Sequence, residues 1–232
     1  MDFRYQLRYQ LTKILRCSHK QAEAFCRAGE VEINMKVETN PRQTLGYQEQ
    51  IRLKSEIIRE GIDLKYVLFY KPNQYECTTN REIKNNIFEV LPARFHDLFP
   101  LGRLDINSEG LLLLTNDGQL YRQMMGHQSE VEKEYLVHTY QPVTEFLRKS
   151  FTEPFLLGKR NTRPAVFEQI DQFSFKVILK EGINRHIRRI CAKNENQVKQ
   201  LTRIRFGEYT LSDLKSGEWK ELTERPLIGL GH

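Results

Sequence analysis

Cysteine and tryptophan are scarce in this 232-residue chain, with four of the first and one of the second. Cys17, Cys26, Cys77 and Cys191 form no C-x-x-C pair and share no spacing with histidine, which argues against a zinc site. His127, His138 and His186 likewise show no common spacing for a metal. Reduced, partly buried thiols are the expectation, as suits a cytoplasmic protein. The N-terminal stretch "MDFRYQLRYQ" is charged and has no signal-peptide core, and no apolar run approaches a membrane span. Also missing are a Walker A loop, G-x-G-x-x-G, H-E-x-x-H and G-x-S-x-G. Those absences remove the simple readings of ATPase, nucleotide-cofactor oxidoreductase, zinc protease and serine hydrolase. There is no internal repeat and no low-complexity tract.

What is abundant is charge. Lys and Arg number 36 against 30 Asp and Glu, a net of +6, with a pI near 9.1. Such a surface favours an acidic partner, nucleic acid first and an anionic membrane surface second. The apolar fraction, 39%, is low for a globular protein but enough for a sizeable core.

The chain divides by pattern. Leu7, Leu11, Ile14 and Leu15 fall at helical spacing. Ser18 can cap a second helix with Gln21 completing a capping box, Ala22, Phe25 and Cys26 give it a buried face, and Gly29 stops it. "EVEIN" and "QIRLK" alternate as strands. This unit covers residues 1–58, and 59–64 reads as a linker. Up to residue 60 there are 11 Lys and Arg against 8 Asp and Glu, half of the net excess in a quarter of the chain. Arg4, Arg8, Lys13, Arg16, Lys20, Arg27 and Lys36 can face phosphate, or can be ordinary solvated helix charges.

From residue 65 the pattern turns to strands: "YVLFYKP", "LLLLT", "KEYLVHTY", "AVFEQI", "FSFKVILK", "VKQLTRIRFGEYTL" and "WKELT". Helices are expected around 82–91, 119–126, 143–150 and 184–194. The reading for 65–232 is an α+β domain with a large, mostly antiparallel mixed sheet flanked by helices.

Three groups stand out chemically. Asp105 lies between Leu104 and Ile106, just ahead of the apolar run Leu111–Leu114. It is either a solvated loop end or a carboxylate held in place for chemistry; a buried one needs a cation or several donors. Asn116-Asp117-Gly118 after the run is a turn signal. "EGINRHIRRI" supplies cations, with a helix expected from Asn184 and Arg185, Arg188 and Arg189 on its first turns. By spacing alone these arginines read as a phosphate-binding basic helix or plain surface charge rather than as partners of Asp105. Tyr135 sits mid-strand, where packing is the common role.

Taken together and in order, these segments resemble the pseudouridine synthases, specifically the branch that modifies ribosomal RNA. "GRLDINSEGLLLLTNDG" is similar to that family's catalytic motif, "KEYLV" to its tyrosine motif, "EGINRHIRRI" to its third motif with His186 where Gln is usual, and "YKP" to its first strand motif. "NTRPAVFEQI" and "LTRIRFGEYTLSDLKSGEWKELT" are similar to later segments. Residues 1–58 resemble an S4-like RNA-binding domain, a small α/β unit, with His19 where Arg is usual and Asn34-Met35 where Asn-Gly is usual. Met35 predicts a different turn there.

The resemblance implies isomerisation of a uridine in ribosomal RNA to pseudouridine on a flipped-out nucleotide. It makes Asp105 the catalytic residue, attacking C1′ or deprotonating C2′. Arg188 pairs with it, Tyr135 stacks on the base, Ile187 packs beside the base, and Arg103 contacts RNA or supports the loop. Arg185 and Arg189 join the basic residues of 1–58 as RNA contacts. The reaction has no net redox change or hydrolysis, so no cofactor and no metal is expected. The partner implied is ribosomal RNA, naked or in a pre-ribosomal particle, with no membrane partner and a monomer as the default. The rivals are a non-catalytic rRNA-binding assembly factor and a nucleoside hydrolase, for which Glu109 is the nearest second carboxylate.

Overall fold

The computed structural model describes residues 3–46, 48–125 and 130–226; His127 and the end of the helix expected to 126 lie outside them. The chain splits into two compact units at Leu64/Lys65.

The first unit contains α1 (Leu7–Leu15), α2 (His19–Arg27) and the strands β1 (Val31–Ile33), β2 (Lys36–Val37), β3 (Ile51–Leu53) and β4 (Glu56–Arg59). The strands form an antiparallel sheet in the order β2-β1-β3-β4. Leu7 and Leu11 of α1, Ala22 and Cys26 of α2, and Val31 and Ile51 of the sheet are fully buried together around Leu45. The capping box forms: the Ser18 hydroxyl accepts from the Gln21 amide, and the Gln21 side chain accepts from the Ser18 amide. The turn at Asn34-Met35 corrects the expectation. Both residues take positive φ, 48° and 69°, and Ile33 still pairs with Lys36. This is the hairpin geometry that Asn-Gly would give. Asn34 is anchored by its side chain, which accepts from the Gln50 amide at 2.9 Å, so Met35 is carried into a left-handed conformation it would not choose alone.

The second unit runs β5 (Tyr66–Lys71), β6 (Phe99–Leu101), β7 (Glu109–Thr115), α3 (Gly118–Met125), β8 (Lys133–Thr139), α4 (Glu145–Thr152), β9 (Leu156–Leu157), β10 (Arg160–Asn161), β11 (Val166–Gln169), β12 (Ser174–Leu179), α5 (His186–Lys193), β13 (Val198–Phe206), β14 (Tyr209–Thr210) and β15 (Trp219–Glu221). Its large sheet has the order β11-β12-β8-β13-β7-β5-β15, with β6 added to β7 and β14 to β13. All these pairings are antiparallel except β7 with β13, which are parallel. The run Leu111–Leu114 is wholly buried because β7 is central and covered on both faces. The β9–β10 hairpin stands apart as a two-stranded piece.

Two apolar cores stabilise this unit. One gathers Val137, Phe175, Val177 and Leu201 of the sheet under Leu147 and Phe151 of α4 and Ile187, Ile190 and Cys191 of α5. The other packs Val67, Phe69, Leu112 and Leu114 against Ile87, Phe88, Leu91, Phe95 and Leu98. The helix expected at 82–91 is absent. Asn85 takes φ 55°, and the Asn86 side chain accepts from the Phe88 amide, leaving one 3₁₀ turn at Ile87–Glu89. The turn signal at Asn116-Asp117-Gly118 is the start of α3: the Asp117 carboxylate accepts from the amides of Gln119 and Leu120. No helix among the described residues is long and apolar enough to cross a membrane.

Candidate active site

The catalytic candidate sits on the loop between β6 and β7. Gly102 turns the chain at φ 69°, Leu104 anchors it by burial, and Asp105 follows with its side chain 26% exposed. The loop closes on itself through the Ser108 amide, which donates to the Asp105 carbonyl at 3.0 Å. It is then fixed from behind by three cations. Lys71, wholly buried at the end of β5, donates from Nζ to the carbonyls of Ser108 (2.6 Å), Pro72 (3.0 Å) and Ile106 (3.3 Å). Arg188 of α5 donates to the Asn107 carbonyl at 2.6 Å and to that of Val198 at 3.2 Å. Arg203 of β13, 1% exposed, donates to the carbonyls of Leu111 (2.7 Å) and Gly102 (3.2 Å) and lies over the Phe206 ring at 4.9 Å. Charge-assisted bonds of this kind are roughly twice as strong as neutral ones. The backbone around Asp105 is therefore tightly held while its side chain stays accessible.

Burial dominates the electrostatics here. It pushes the Lys71 ammonium down to about 8, against the upward pull of Glu109 and Asp105. Burial also lowers Arg188, helped by Arg185 and opposed by Asp105. Gly110 fits where β7 and β13 run parallel: at φ 105°, a Cβ there would sit 2.4 Å from the Arg203 carbonyl oxygen.

In front of Asp105 opens a cleft of about 790 Å³, lined by residues of both cores, including Cys77 from one and Tyr135, Leu179, Ile187 and Leu201 from the other. Basic side chains on its wall, Arg103, Lys133, Arg160, Arg163, Lys180, Arg185 and Arg203, outnumber the acids Glu76, Asp105 and Glu181. That balance suits an anionic ligand. Among the described residues no cluster of His, Cys, Asp or Glu could hold a metal.

The structure brings Arg103, Asp105, Tyr135, Arg185 and Ile187 to this cleft. Tyr135 is half-buried on β8, in register with Val177 and Arg203. The Asp105–Arg188 pairing expected from sequence is corrected: the nearest cation is Arg185, Nη1 to Oδ2 3.9 Å, and Arg188 acts on the loop backbone instead. The reason is local. α5 begins at His186, not Asn184, with Arg185 at its N-cap in a left-handed conformation (φ 51°). That backbone turn brings Arg185 near the carboxylate and places Arg188 against the loop. Arg189 lies against the β9–β10 hairpin, its Nη2 beside Gly158. On the first unit, Arg4, Lys13, Arg16, Lys20, Arg27 and Lys36 are exposed, but Arg8 is half-buried and tied to Glu23 at 2.8 Å. Lys71 and Arg203 were not singled out by sequence reasoning as supports of Asp105. The "YKP" motif marked the position of Lys71, and nothing local marked Arg203.

A mostly antiparallel sheet with an aspartate on a clamped loop lining a basic cleft suits a protein that acts on an anionic ligand. The chain belongs to the RNA pseudouridylate synthase family, whose model matches residues 65–193; it is an RNA pseudouridine synthase, an isomerase. It is similar to the dual-specificity RNA pseudouridine synthase RluF of Escherichia coli (strain K12), 34% identical over 221 residues, 92% of this chain and 74% of the relative. That span necessarily includes most of the first unit. It is also similar to ribosomal large subunit pseudouridine synthase B of Vibrio cholerae serotype O1, 32% identical over 217 residues, 88% of this chain and 67% of the relative. A crystal structure of a pseudouridylate synthase superposes with a TM-score of 0.67 at 26% identity, over 94% of this chain and 96% of that one.

Proposed function

We propose that this protein converts a specific uridine of ribosomal RNA to pseudouridine, with Asp105 as its catalytic residue. The observation that carries this reading is a partly exposed carboxylate on a loop held by Lys71, Arg188 and Arg203, facing a basic cleft. The target nucleotide flips out of its stack, because its C1′ and C5 cannot be reached within a helix. Cleavage of the N1–C1′ bond builds positive charge on the sugar, which an ionised Asp105 stabilises. Attack at C1′ and proton removal at C2′ both use that oxygen. Arg185 orients it, Tyr135 stacks on the uracil ring and Ile187 flanks it. Arg103 and Arg189 contact the RNA backbone.

The first unit acts as an S4-like RNA-binding domain spanning 1–58, joined by 59–64 to the catalytic domain. Its two helices, four-stranded sheet and exposed Arg4, Lys13, Arg16, Lys20, Arg27 and Lys36 support that role. The working form in this reading is a cytoplasmic monomer acting on naked rRNA or a pre-ribosomal particle.

The test is tritium release. Forming the C5–C1′ bond expels the hydrogen on C5, so rRNA made with 5-tritiated uridine reports turnover directly. Release near one equivalent from one subunit's rRNA is the expected result. Tight binding with no release from either rRNA or assembly intermediates would instead identify a non-catalytic assembly factor. Free uracil would identify a hydrolase.

A further inference from the structure

A second depression, of about 380 Å³, lies at the far end of β8 and the start of β13. His138, Thr139, Tyr140, Phe173, Lys199 and Gln200 line it. Two links place it beside the loop that carries Asp105. Arg188 donates both to the Asn107 carbonyl and to that of Val198, the residue before Lys199. Gln200 donates to the Glu109 carboxylate at 2.7 Å, where the same loop enters β7. The chemistry at Asp105 uses none of the six lining residues. We propose, resting on the isomerase reading above, that this depression receives an unstacked base of the RNA strand flanking the target uridine. The base stacks on the Tyr140 and Phe173 rings, and its phosphate lies on Lys199.

Exposure and rigidity together carry the proposal. Tyr140 is 60% exposed and Phe173 43%. Their backbone is nevertheless pinned. The Tyr140 amide donates to the Gln197 carbonyl at 2.9 Å, and the Phe173 amide to the Asp171 carboxylate at 2.7 Å. The Phe173 carbonyl accepts from the Thr139 amide at 2.8 Å and from its hydroxyl at 3.1 Å. Beyond Tyr140, the Asn196 side chain donates to the carbonyls of Gln141 (3.0 Å) and Pro142 (3.3 Å) and accepts from the Gln141 amide (3.2 Å). Ring surface is thus held in water on a fixed frame, with little left to order on binding. The charges agree. Nearby acids are already engaged by the protein: Asp171 by Phe173 and Ser174, and Glu109 by Gln200, Thr202 and Tyr70. Lys199 is exposed and His138 half-buried, so a cation and an imidazole remain to meet a phosphate and a base edge. Aromatic rings beside a cation bind single-stranded RNA through the π-face that every base presents. RNA is the favoured occupant because the depression continues from the loop at which RNA reacts.

The experiment uses the full chain. Affinity and ultraviolet crosslinking are measured on both subunits' rRNA transcripts made with 4-thiouridine, and kinetics on the transcript that releases tritium and on fragments trimmed toward its target uridine. Tyr140→Ala and Phe173→Ala together should weaken binding about tenfold or more and raise KM by the same factor, with kcat unchanged. Tyr140→Trp, which keeps a ring, should bind like wild type. Lys199→Gln should make the slope of log affinity against log salt shallower by about 0.7. These deficits should vanish on fragments trimmed to the nucleotides that fill the cleft, and wild-type crosslinks should map to Tyr140 or Phe173. Binding by the double variant within about twofold of wild type, an equal loss on every fragment, a fall in kcat at unchanged KM, or crosslinks that avoid both rings would overturn the proposal. A loss confined to particles carrying ribosomal proteins would overturn it too and make this a protein-binding face. Crosslinks at these rings in wild-type protein that releases no tritium would keep the RNA site and overturn the isomerase reading alone; silence in both assays would overturn both.

Discussion

Replacing Lys71 with methionine separates the stability of the fold from the placement of Asp105. Two terms oppose each other. The wild-type ammonium is wholly buried and sits at about 8, against an ordinary value of 10.5. That difference corresponds to about 3 kcal/mol of destabilisation at neutral pH, which Lys71→Met removes. The substitution also orphans the carbonyls of Pro72 and Ser108; Ile106 keeps its bond from the Gln74 amide. Each orphan costs about 1–3 kcal/mol. The balance for two orphans runs from about 1 kcal/mol of stabilisation to about 3 kcal/mol of destabilisation, readable by urea denaturation. Turnover behaves differently. Without its anchor the loop at 105–108 shifts, and a displacement of about 1 Å at a reacting group costs on the order of 10²-fold. Single-turnover tritium release should fall by that factor while RNA affinity holds. The pH profile gives a second check. Between 8 and 10.5 the unfolded chain binds the extra proton, so wild-type stability rises with pH as the penalty lifts. Lys133 contributes with the same sign, so the wild-type minus Lys71→Met difference isolates Lys71. Turnover within threefold of wild type, a loss above about 5 kcal/mol, or a flat difference curve would each refute the reasoning.

Other perturbations follow the same logic. Gly110→Ala drives a Cβ into the Arg203 carbonyl at a positive φ; it should cost at least about 3 kcal/mol, a melting shift of roughly 6–12 °C by calorimetry. Changing exposed Lys13, Arg16 and Lys20 together to glutamine should lower the slope of log affinity against log salt by about 2 in filter-binding titrations; an unchanged slope would remove this helix surface from the RNA. Tyr135→Ala should impair turnover about tenfold more than Tyr135→Phe if stacking dominates.

Much of the architecture was legible because it rests on local signals. Ser18 and Gln21 specify a helix start, and the four leucines of β7 specify a strand covered on both sides. Three misreadings came from backbone events that side-chain patterning does not show. Asn85 in a left-handed conformation ends the helix expected at 82–91. Asn34, anchored to Gln50, keeps a hairpin turn that Met35 argued against. Arg185 at a left-handed N-cap takes the place beside Asp105 that sequence assigned to Arg188. The supports of Asp105 were the least legible part. Lys71 and Arg203 meet the loop only because β5, β7 and β13 are neighbours, and a pairing across some 100 residues leaves no local trace.

The central claim is that Asp105 is needed for chemistry and not for binding or folding. The most direct test is to measure turnover and RNA affinity of Asp105→Asn beside wild type on one rRNA, with unfolding midpoints for both. The account predicts no detectable tritium release, affinity within about threefold, and a stability change under about 1 kcal/mol, as befits a partly exposed side chain whose loop is held through its backbone. Retained turnover, or equal loss of turnover and binding, would contradict it.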